Sequence, residues 1–280
     1  MNDRSRDVSG LCRRAGMSRQ NYYAKRKRRK RRGVEKDVIL SLVKSERKVQ
    51  PRVGVRKLHR IIAGDLRKHG VRIGRDRLFD ILREESMLIG KKKAFKPKTT
   101  NSKHTLPVFR NLLKLYEPTA PNQVWVSDIT YIRTEEGFVY AALITDIFSR
   151  KIVGWHIGDK LEAIGALKAL GMAIRSLPSD RYPIHHSDRG SQYCCHEYVK
   201  KLKKRGLSIS MTEENHCYEN ATAERVNGIL KDEYYIDALF KSKKDAHRAF
   251  KSAVNIYNNR RPHMSLNYMV PSEAHERKVA

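Results

Sequence analysis

The sequence predicts an α/β protein: its second half folds as a mixed β-sheet covered by helices, and small all-α modules precede this core. Two observations support the prediction. From residue 123 onward, short segments rich in β-branched and aromatic residues alternate with segments of helical periodicity. Residues 8–90 carry helical patterns that glycine-containing turns separate. Three strands followed by alternating helices and strands are typical of a sheet with helices on its faces.

The predicted sheet begins with a hairpin. Residues 123–134 and 138–150 both have strand composition, and Glu-Glu-Gly separates them. Further strands are expected at residues 151–159, 182–188 and 207–211. Helical periodicity places helices at residues 161–177, 191–206, 220–235 and 243–262. Residues 121–280 are therefore assigned to one core domain with a C-terminal helical extension.

Charge divides the 280-residue chain, which has a net charge of +29 and is 40% hydrophobic. Residues 1–120 contain 35 Lys and Arg against 11 Asp and Glu, whereas residues 121–280 contain 24 against 19. This excess predicts a polyanionic partner, with nucleic acid ahead of a membrane surface, and the basic half is expected to bind it. Four cysteines without a C-x-x-C spacing, no long apolar run and no signal-peptide pattern predict a cytoplasmic protein.

Residues 1–33 predict a helix-turn-helix followed by a basic arm. Residues 8–24 have the pattern of a helix, a turn at Gly16 and a second helix with Ser18 as its N-cap. A plain helical hairpin fits this short pattern equally well. In the helix-turn-helix interpretation, the second helix carries side chains that reach phosphates and base edges, namely Arg19, Gln20 and Asn21.

Eight consecutive basic residues follow this motif. Such a run cannot be buried, so it is expected to form a solvated arm or an exposed helix face. Its affinity for DNA would come from counterion release and would carry no sequence specificity. The predicted DNA contacts in this run are Lys25, Arg26, Lys27, Arg28, Arg29, Lys30, Arg31 and Arg32.

A second helical module is predicted at residues 34–90. Its three helical segments have apolar residues at three- and four-residue spacing, and Gly70 and Gly74 separate the last two. The module resembles a second helix-turn-helix and is expected to bind DNA. Residues 91–120 combine charge, proline and polar residues without periodicity, which predicts a basic linker.

Three acidic residues interrupt the apolar elements of the predicted core. Asp128 lies in the middle of the first strand, Asp188 at the end of the fourth, and Glu224 early in the helix after the fifth. An ionised carboxylate in an apolar sheet is costly unless it is paired or bound to a metal. Hard oxygen ligands from separate elements point to Mg²⁺, for which Mn²⁺ can substitute. Two such ions, held roughly 3.5–4 Å apart, can drive an in-line displacement at phosphorus.

The three acids lie in segments with a specific resemblance. WVSDITYI, HSDRGSQY and YENATAERVNGILKDEY resemble, in this order, the three motifs of the DDE transposases with a retroviral-integrase-like core. The resemblance is closest to the OrfB product of the insertion-sequence-three family. LCRRAGMSRQNYY, PRVGVRKLHRII and YNNRRPHMSLNYMVPSE resemble further segments of that family, so nearly the whole chain is covered. The resemblance implies an RNase H-like core in which Asp128, Asp188 and Glu224 are the catalytic acids and metal ligands.

The resemblance also implies an activity and its partners. It indicates a metal-dependent transposase that cleaves DNA at element ends and transfers the 3′-hydroxyl to target DNA, working as a homo-multimer on double-stranded DNA at the bacterial nucleoid. The chain begins close to where OrfB-type products begin, so an upstream OrfA-type partner or fusion is expected to help it find element ends. Two alternatives are a DNA-binding regulator with an inactive core and an RNase H-like nuclease, although paired helix-turn-helix signals argue against the nuclease.

Neighbours of the three acids are further candidates. Lys231 follows Glu224 by nearly two helical turns, so it is expected on the same helix face and near a DNA phosphate. Asn220 is expected to be an N-cap that also orients Glu224. Asp146 either supports the metal ligands from behind or has a structural role as a turn cap or a partner of Arg150. Three residues have no role that follows from their spacing, namely His186, Arg261 and His263.

Overall fold

The computed structural model describes residues 7–90, 105–114, 116–213 and 220–277. The chain divides into two units, the first containing Met1–Lys48 and Leu58–Leu88 and the second containing Val49–Lys57 and Ile89–Ala280. Residues 91–104 of the predicted linker lie outside the described residues, as do the residues of the third motif that precede Asn220.

Residues 7–90 form the helices α1 (Val8–Arg14), α2 (Arg19–Val49), α3 (Val55–Lys68) and α4 (Arg75–Glu84). The turns after α1 and α3 use Gly16 and Gly70 at φ angles of 62° and 69°, which glycine adopts without steric cost. Each of the longer helices buries one apolar stripe, as the periodicity predicts. The buried side chains of the first unit include Ile39, Val43, Leu58, Ile62, Leu66, Leu78, Ile81 and Leu82.

Helix α2 runs without interruption through the basic run, so the predicted boundary between residues 33 and 34 falls inside a helix. Ser18 caps its start as expected, because Ser18 Oγ accepts a hydrogen bond from the backbone N–H of Asn21 at 3.1 Å. Lysine and arginine favour helix, and the single Gly33 does not end it. Every side chain from Lys25 to Arg32 is exposed, so the run is a helical segment that is exposed on all sides. None of the helices in the described ranges combines the length and hydropathy needed to cross a bilayer.

A five-stranded mixed sheet organises the second unit. Its strands are β1 (Val124–Thr134), β2 (Gly137–Asp146), β3 (Ile152–Gly158), β4 (Ile184–Ser187) and β5 (Ser208–Met211). Their spatial order is β3-β2-β1-β4-β5; β1, β2 and β3 pair antiparallel, whereas β4 runs parallel to β1 and β5 runs parallel to β4. The predicted mixed sheet, its opening hairpin and its three later strands are confirmed.

Two hydrophobic cores lie on the two faces of this sheet. The helices of this unit are α5 (Ala163–Ser176), α6 (Ser191–Cys194), α7 (His196–Lys204), α8 (Ala221–Glu233), α9 (Lys243–Asn259) and α10 (Pro271–Glu276), with a 3₁₀ turn at Met264–Leu266. Trp125 belongs to the core with α5 and α7, whereas Ile132, seven residues along β1, belongs to the core with α8 and α9. An odd spacing along a strand places side chains on opposite faces, which explains the division.

The predicted helix at residues 191–206 is interrupted at Cys195, whose ψ of 150° is extended. On one continuous helix, Tyr193 and Tyr198 would point roughly 140° apart. The break lets both rings enter the same core, where their centroids are 5.5 Å apart in an edge-to-face arrangement. The packing of these rings therefore overrides the local helical pattern.

Candidate active site on the central strands

Two of the three acids meet where strand β4 ends beside the middle of β1. β1 pairs with β4 in a register that sets Val126 opposite His186. Continuing this register by two residues brings Asp128 beside Asp188, and paired strands lie about 4.8 Å apart. The sequence therefore brings these carboxyl groups together through strand pairing, although 59 residues separate them in the chain.

Asp128 and Asp188 line one small cavity of about 20 Å³, with Tyr131 and Tyr193 also in its wall. This volume admits a species the size of a water molecule. The backbone N–H of Gly190 donates to Asp188 Oδ1 at 3.0 Å, and a Cβ at Gly190 would lie 3.0 Å from the same oxygen. Glycine at this position therefore lets the backbone approach the Asp188 carboxylate closely.

Opposing effects act on the half-buried carboxyl group of Asp128. Burial and the charge of Asp188 raise the pKa of Asp128 to about 7, and the charge of Glu224 acts in the same direction. Two hydrogen bonds oppose this rise because they favour the charged form. Asn227 Nδ2 donates to Asp128 Oδ2 at 2.7 Å, and the backbone N–H of Ile129 donates to Oδ1 at 2.8 Å. Asp128 is thus held in place while like charges repel it.

Glu224 approaches these two acids from α8. It lies in the first turn of the helix and is exposed, and it does not line the cavity between the aspartates. Among the residues that the structure describes, no three His, Cys, Asp or Glu side chains are close enough to hold a metal ion together. The structure therefore brings Asp128 and Asp188 together at one cavity and sets Glu224 within electrostatic range of Asp128.

Two asparagines attach α8 to β1. Asn220 occupies the N-cap position, but its side chain makes no capping hydrogen bond. Because Asn220 is buried, its amide needs a partner inside the protein, and Nδ2 donates to the carbonyl oxygen of Ser127 at 3.0 Å. Asn227 binds Asp128 directly, and the sequence analysis missed it. Its position three residues after Glu224, on the same helix face, was the available signal.

Lys231 lies beside the wall of the acidic cavity. Its Nζ is 4.3 Å from the centroid of the Tyr131 ring, which lines the cavity. Burial lowers the pKa of Lys231, although the charge of Asp128 acts against this shift. The expected contact of Lys231 with a DNA phosphate stays a prediction.

Asp146 makes the contacts of a turn cap. Its Oδ1 accepts hydrogen bonds from the backbone N–H and the hydroxyl of Ser149 at 2.8 and 2.7 Å, and its Oδ2 accepts one from the backbone N–H of Asn122 at 2.7 Å. Asp146 pairs with Trp125 in the sheet, three positions along β1 from Asp128, or roughly 10 Å. These contacts match the structural role of a turn cap, which is one of the two roles that the sequence left open for Asp146.

The remaining candidates lie elsewhere in the structure. The side chain of His186 is buried, and its Nδ1 is 2.8 Å from Ser210 Oγ. Arg261 and His263 are buried in a separate charged cluster beyond α8. The candidate contacts at the start of α2 are exposed and belong to the first unit, namely Arg19, Gln20 and Asn21.

Comparison with known proteins identifies the family. Two models, each described as an integrase core domain, match residues 118–217 and 205–271. A 31 kDa protein of insertion element IS600 from Shigella sonnei is 35% identical over 271 residues, which covers 95% of this chain and 98% of that protein. The transposase of insertion sequence element IS629, also from Shigella sonnei, is 35% identical over 225 residues, covering 79% of this chain and 73% of that protein. The chain belongs to the insertion-sequence-three family of DDE transposases.

This transposase is a polynucleotidyl transferase with an RNase H-like core. A chain of the simian T-cell lymphotropic virus intasome, solved in complex with the PP2A regulatory subunit B56 gamma, shares the fold. The TM-score is 0.50 at 19% identity, with 80% of this chain and 75% of that chain covered. The alternatives of a regulator with an inactive core and of an RNase H-like nuclease are not favoured by these relatives.

Proposed function

We propose that the transposase cleaves DNA at the ends of its element and joins the freed 3′-hydroxyl to target DNA, with Asp128, Asp188 and Glu224 as its catalytic acids. The observation that carries this proposal is the pairing of β1 with β4, which sets two of these acids at one cavity beside the helix of the third. Carboxylates repel phosphates, so this acidic cluster does not serve to bind DNA directly. It fits a site that holds cations against the DNA.

Magnesium is the proposed cofactor, with two ions per site and manganese as a substitute. The carboxyl oxygens of Asp128, Asp188 and Glu224 are hard ligands of the kind that Mg²⁺ prefers. Burial and the like charge of Asp188 raise the pKa of Asp128, and a bound cation would offset both effects. Bound ions would supply activation of the attacking hydroxyl and stabilisation of the leaving oxygen.

The protein's own groups would position this chemistry. Asn227 and the backbone N–H of Ile129 fix both oxygens of Asp128, so that carboxylate presents a defined orientation to the cavity. Lys231, lying over the Tyr131 ring, would contact a phosphate of the DNA end as a point charge.

The first unit would supply DNA affinity. The exposed segment from Lys25 to Arg32 on α2 would neutralise backbone phosphates by counterion release. At the start of the same helix, three exposed side chains would reach base edges, namely Arg19, Gln20 and Asn21. The sequence-independent part of this binding would keep the transposase on the bacterial nucleoid.

Multimers are part of the proposal because joining both ends of an element to one target requires more than one active site. We therefore expect a homo-multimer assembled on double-stranded DNA. An upstream OrfA-type partner, or a fusion to it, would contribute recognition of the element ends.

A cleavage and joining assay tests the site. Wild type and Glu224→Gln are incubated with labelled element-end DNA and Mg²⁺, and cut and joined products are scored. Glu224→Gln should lose nearly all of both products while DNA binding, measured in EDTA, is unchanged. Glu197→Gln is the matched control, because Glu197 is also an exposed acid in the first turn of a helix. Equal yields from Glu224→Gln and wild type would reject the assignment.

A further inference from the structure

A cleft on the other side of α8 has the opposite charge from the acidic cavity. It has a volume of about 430 Å³, and all its lining residues belong to the second unit. Four basic side chains line it, namely Lys57, Arg150, Arg225 and Arg261. The rest of its wall is largely apolar or small, so the four cations dominate the charge of the cleft.

The cleft and the acidic cavity lie on different sides of helix α8. Thr222, Arg225 and Ile229 line the cleft, whereas Asn227 binds Asp128 on β1. At 3.6 residues per turn, the cleft-facing residues and the pair Glu224 and Asn227 point roughly 160° apart. Consecutive residues of one helix therefore serve two separate regions.

Two of the four cations that line the cleft, Lys57 and Arg261, are paired with the carboxylate of Glu233. Glu233 forms a bidentate ion pair with Arg261, with Nε to Oε2 at 2.7 Å and Nη2 to Oε1 at 2.8 Å. Lys57 Nζ donates to the same Oε1 at 2.6 Å. Burial would raise the pKa of Glu233, but Arg261 and Lys57 lower it overall, so Glu233 stays ionised. His263 accepts a hydrogen bond from Arg261 Nη1 at 2.8 Å and is neutral, because burial and Arg261 lower its pKa to about 3.

The two other arginines leave unbalanced positive charge in the cleft. Arg150 Nη1 donates to Thr222 Oγ1 at 3.0 Å. Within the described parts of the chain, neither Arg150 nor Arg225 forms an ion pair. Among the described residues, the four cations of the cleft therefore carry more positive charge than Glu233 neutralises.

The backbone of Arg150 provides an independent indication of function. Its φ of 62° is uncommon for a residue with a side chain. The hydroxyl of Tyr257 donates to the Arg150 carbonyl oxygen at 3.0 Å, and the Arg150 N–H donates to the Asp146 carbonyl oxygen at 2.9 Å. Backbone conformations of this kind persist where the surroundings enforce them, and they concentrate at functional sites. Here the enforced turn directs a guanidinium into the cleft.

We propose that this cleft binds a phosphate group of the DNA backbone, at a site separate from the acidic cavity. Guanidinium groups match phosphate oxygens in charge and geometry, and the apolar wall fits the adjoining deoxyribose. Free phosphate has the same chemistry, but DNA is the favoured source because it is the substrate in the proposed function, on which this inference rests. The cleft would hold a stretch of DNA away from the reacting phosphate.

Metal-free DNA binding tests the proposal without any need for chemistry. The affinity of the full chain for a labelled duplex is measured by fluorescence anisotropy in EDTA, between about 50 and 200 mM salt. Affinity falls with salt, and each lost phosphate contact makes the slope of log affinity against log salt less negative by about 0.9. Because the cleft holds one phosphate, Arg150→Gln/Arg225→Gln should reduce the magnitude of the slope by about 0.9, and Arg225→Gln by a measurable part of that amount. Between about 50 and 200 mM salt, the loss of affinity of the double variant should therefore be about 3.5-fold smaller than that of wild type.

Matched controls separate a DNA contact from a general change in charge or fold. Arg175→Gln removes an exposed arginine of α5 that lines neither the cleft nor the acidic cavity, so its slope should equal that of wild type. Arg225 is exposed and makes no side-chain hydrogen bond among the described residues, so its variant should melt at the wild-type temperature. Arg150→Lys/Arg225→Lys keeps both charges and should restore the slope.

Two results would overturn the proposal. One is an Arg225→Gln slope equal to that of wild type and Arg175→Gln. The other is that phosphorus NMR shows inorganic phosphate bound in the cleft, while the cleft variants keep the wild-type salt slope for DNA binding. Neither result depends on Glu224, because no cleavage is scored, so a failure here is distinct from a failure of the proposed active site.

Discussion

The two sides of helix α8 differ in the sign of their unbalanced charge. Toward β1, burial and the charge of Asp188 raise the pKa of Asp128 to about 7. Toward the basic cleft, burial and the charge of Arg261 lower the pKa of Lys57 despite its contact with Glu233. Both shifts favour the neutral form, because burial and a neighbouring like charge act in the same direction on each group. A strongly basic chain can therefore keep a carboxylate cluster when its acidic and basic groups lie on opposite sides of one helix.

Substitutions of two aspartates in the central sheet, Asp128 and Asp146, should differ most in their effect on product yield. Asp128→Asn should reduce cut and joined products at least a thousandfold, because a neutral amide cannot hold the cations that stabilise several kcal/mol of developing charge. Its melting temperature should change little, since the amide removes the repulsion from Asp188 but also loses the acceptor oxygen of one hydrogen bond. Asp146→Asn should keep the chemistry but lower the unfolding free energy by about 1–3 kcal/mol, because a buried hydrogen-bond acceptor of the Ser149 turn is lost.

Product yields and thermal melts measured on both aspartate variants check this contrast. A folded Asp146→Asn protein with as little activity as Asp128→Asn would instead place Asp146 behind the metal ligands. A folded Asp128→Asn protein with wild-type yields would remove Asp128 from the active site.

Glu233 tests the basic side of the helix. Glu233→Gln should lower the unfolding free energy by about 3–5 kcal/mol, because Arg261 and Lys57 would lose the carboxylate that compensates their burial. The neighbouring Asp232→Asn is the control, since its ion pair with Arg52 at 3.2 Å involves a half-exposed carboxylate and should contribute at most about 1 kcal/mol.

Urea unfolding of the two α8 variants, with both midpoint and slope fitted, provides the measurement. Equal stability losses in Glu233→Gln and Asp232→Asn would mean that the Glu233 cluster is solvated.

Local sequence was sufficient for part of this arrangement. Asp128, Asp188 and Glu224 could be identified because each lies in a short motif, and the hairpin could be predicted because Glu-Glu-Gly separates two segments of strand composition. The change in composition at residue 33 predicts a boundary, but α2 continues through it because lysine and arginine favour helix on both sides.

Partners that are distant in the chain could not be predicted. Asn227 and Asp128 are 99 residues apart, and Glu233 and Arg261 are 28 residues apart. Nothing in the local pattern of any of these residues indicates its partner, because the pairing depends on how α8 packs between the sheet and the C-terminal segment. The role of Arg261 in holding Glu233 became apparent only with the fold.

On the acidic side of α8, a substitution of Asn227 should reduce activity less than a substitution of Asp128. Asn227→Ala removes the hydrogen bond to Asp128 Oδ2, and a lost bond to a charged group of about 1.5 kcal/mol corresponds to roughly tenfold less product. DNA binding in EDTA should not change. Because that hydrogen bond favours the charged form, its loss should raise the pKa of Asp128 above about 7 in the metal-free protein. Asp188→Asn should lower the same pKa, since a like charge is removed.

The pH dependence of stability follows from the direction of this shift. The native pKa of Asp128 lies above its ordinary value of 3.8, so the native state binds more protons than the unfolded state between these values. The contribution of this group to stability is therefore complete below about pH 4 and is lost as pH rises through about 7 in the absence of metal. Asn227→Ala should enlarge that loss and Asp188→Asn should reduce it. Carbon NMR titration of the aspartate carboxyl groups, with urea unfolding at several pH values, measures both; an Asp128 pKa that neither substitution moves would show that neither group acts on that carboxylate in solution.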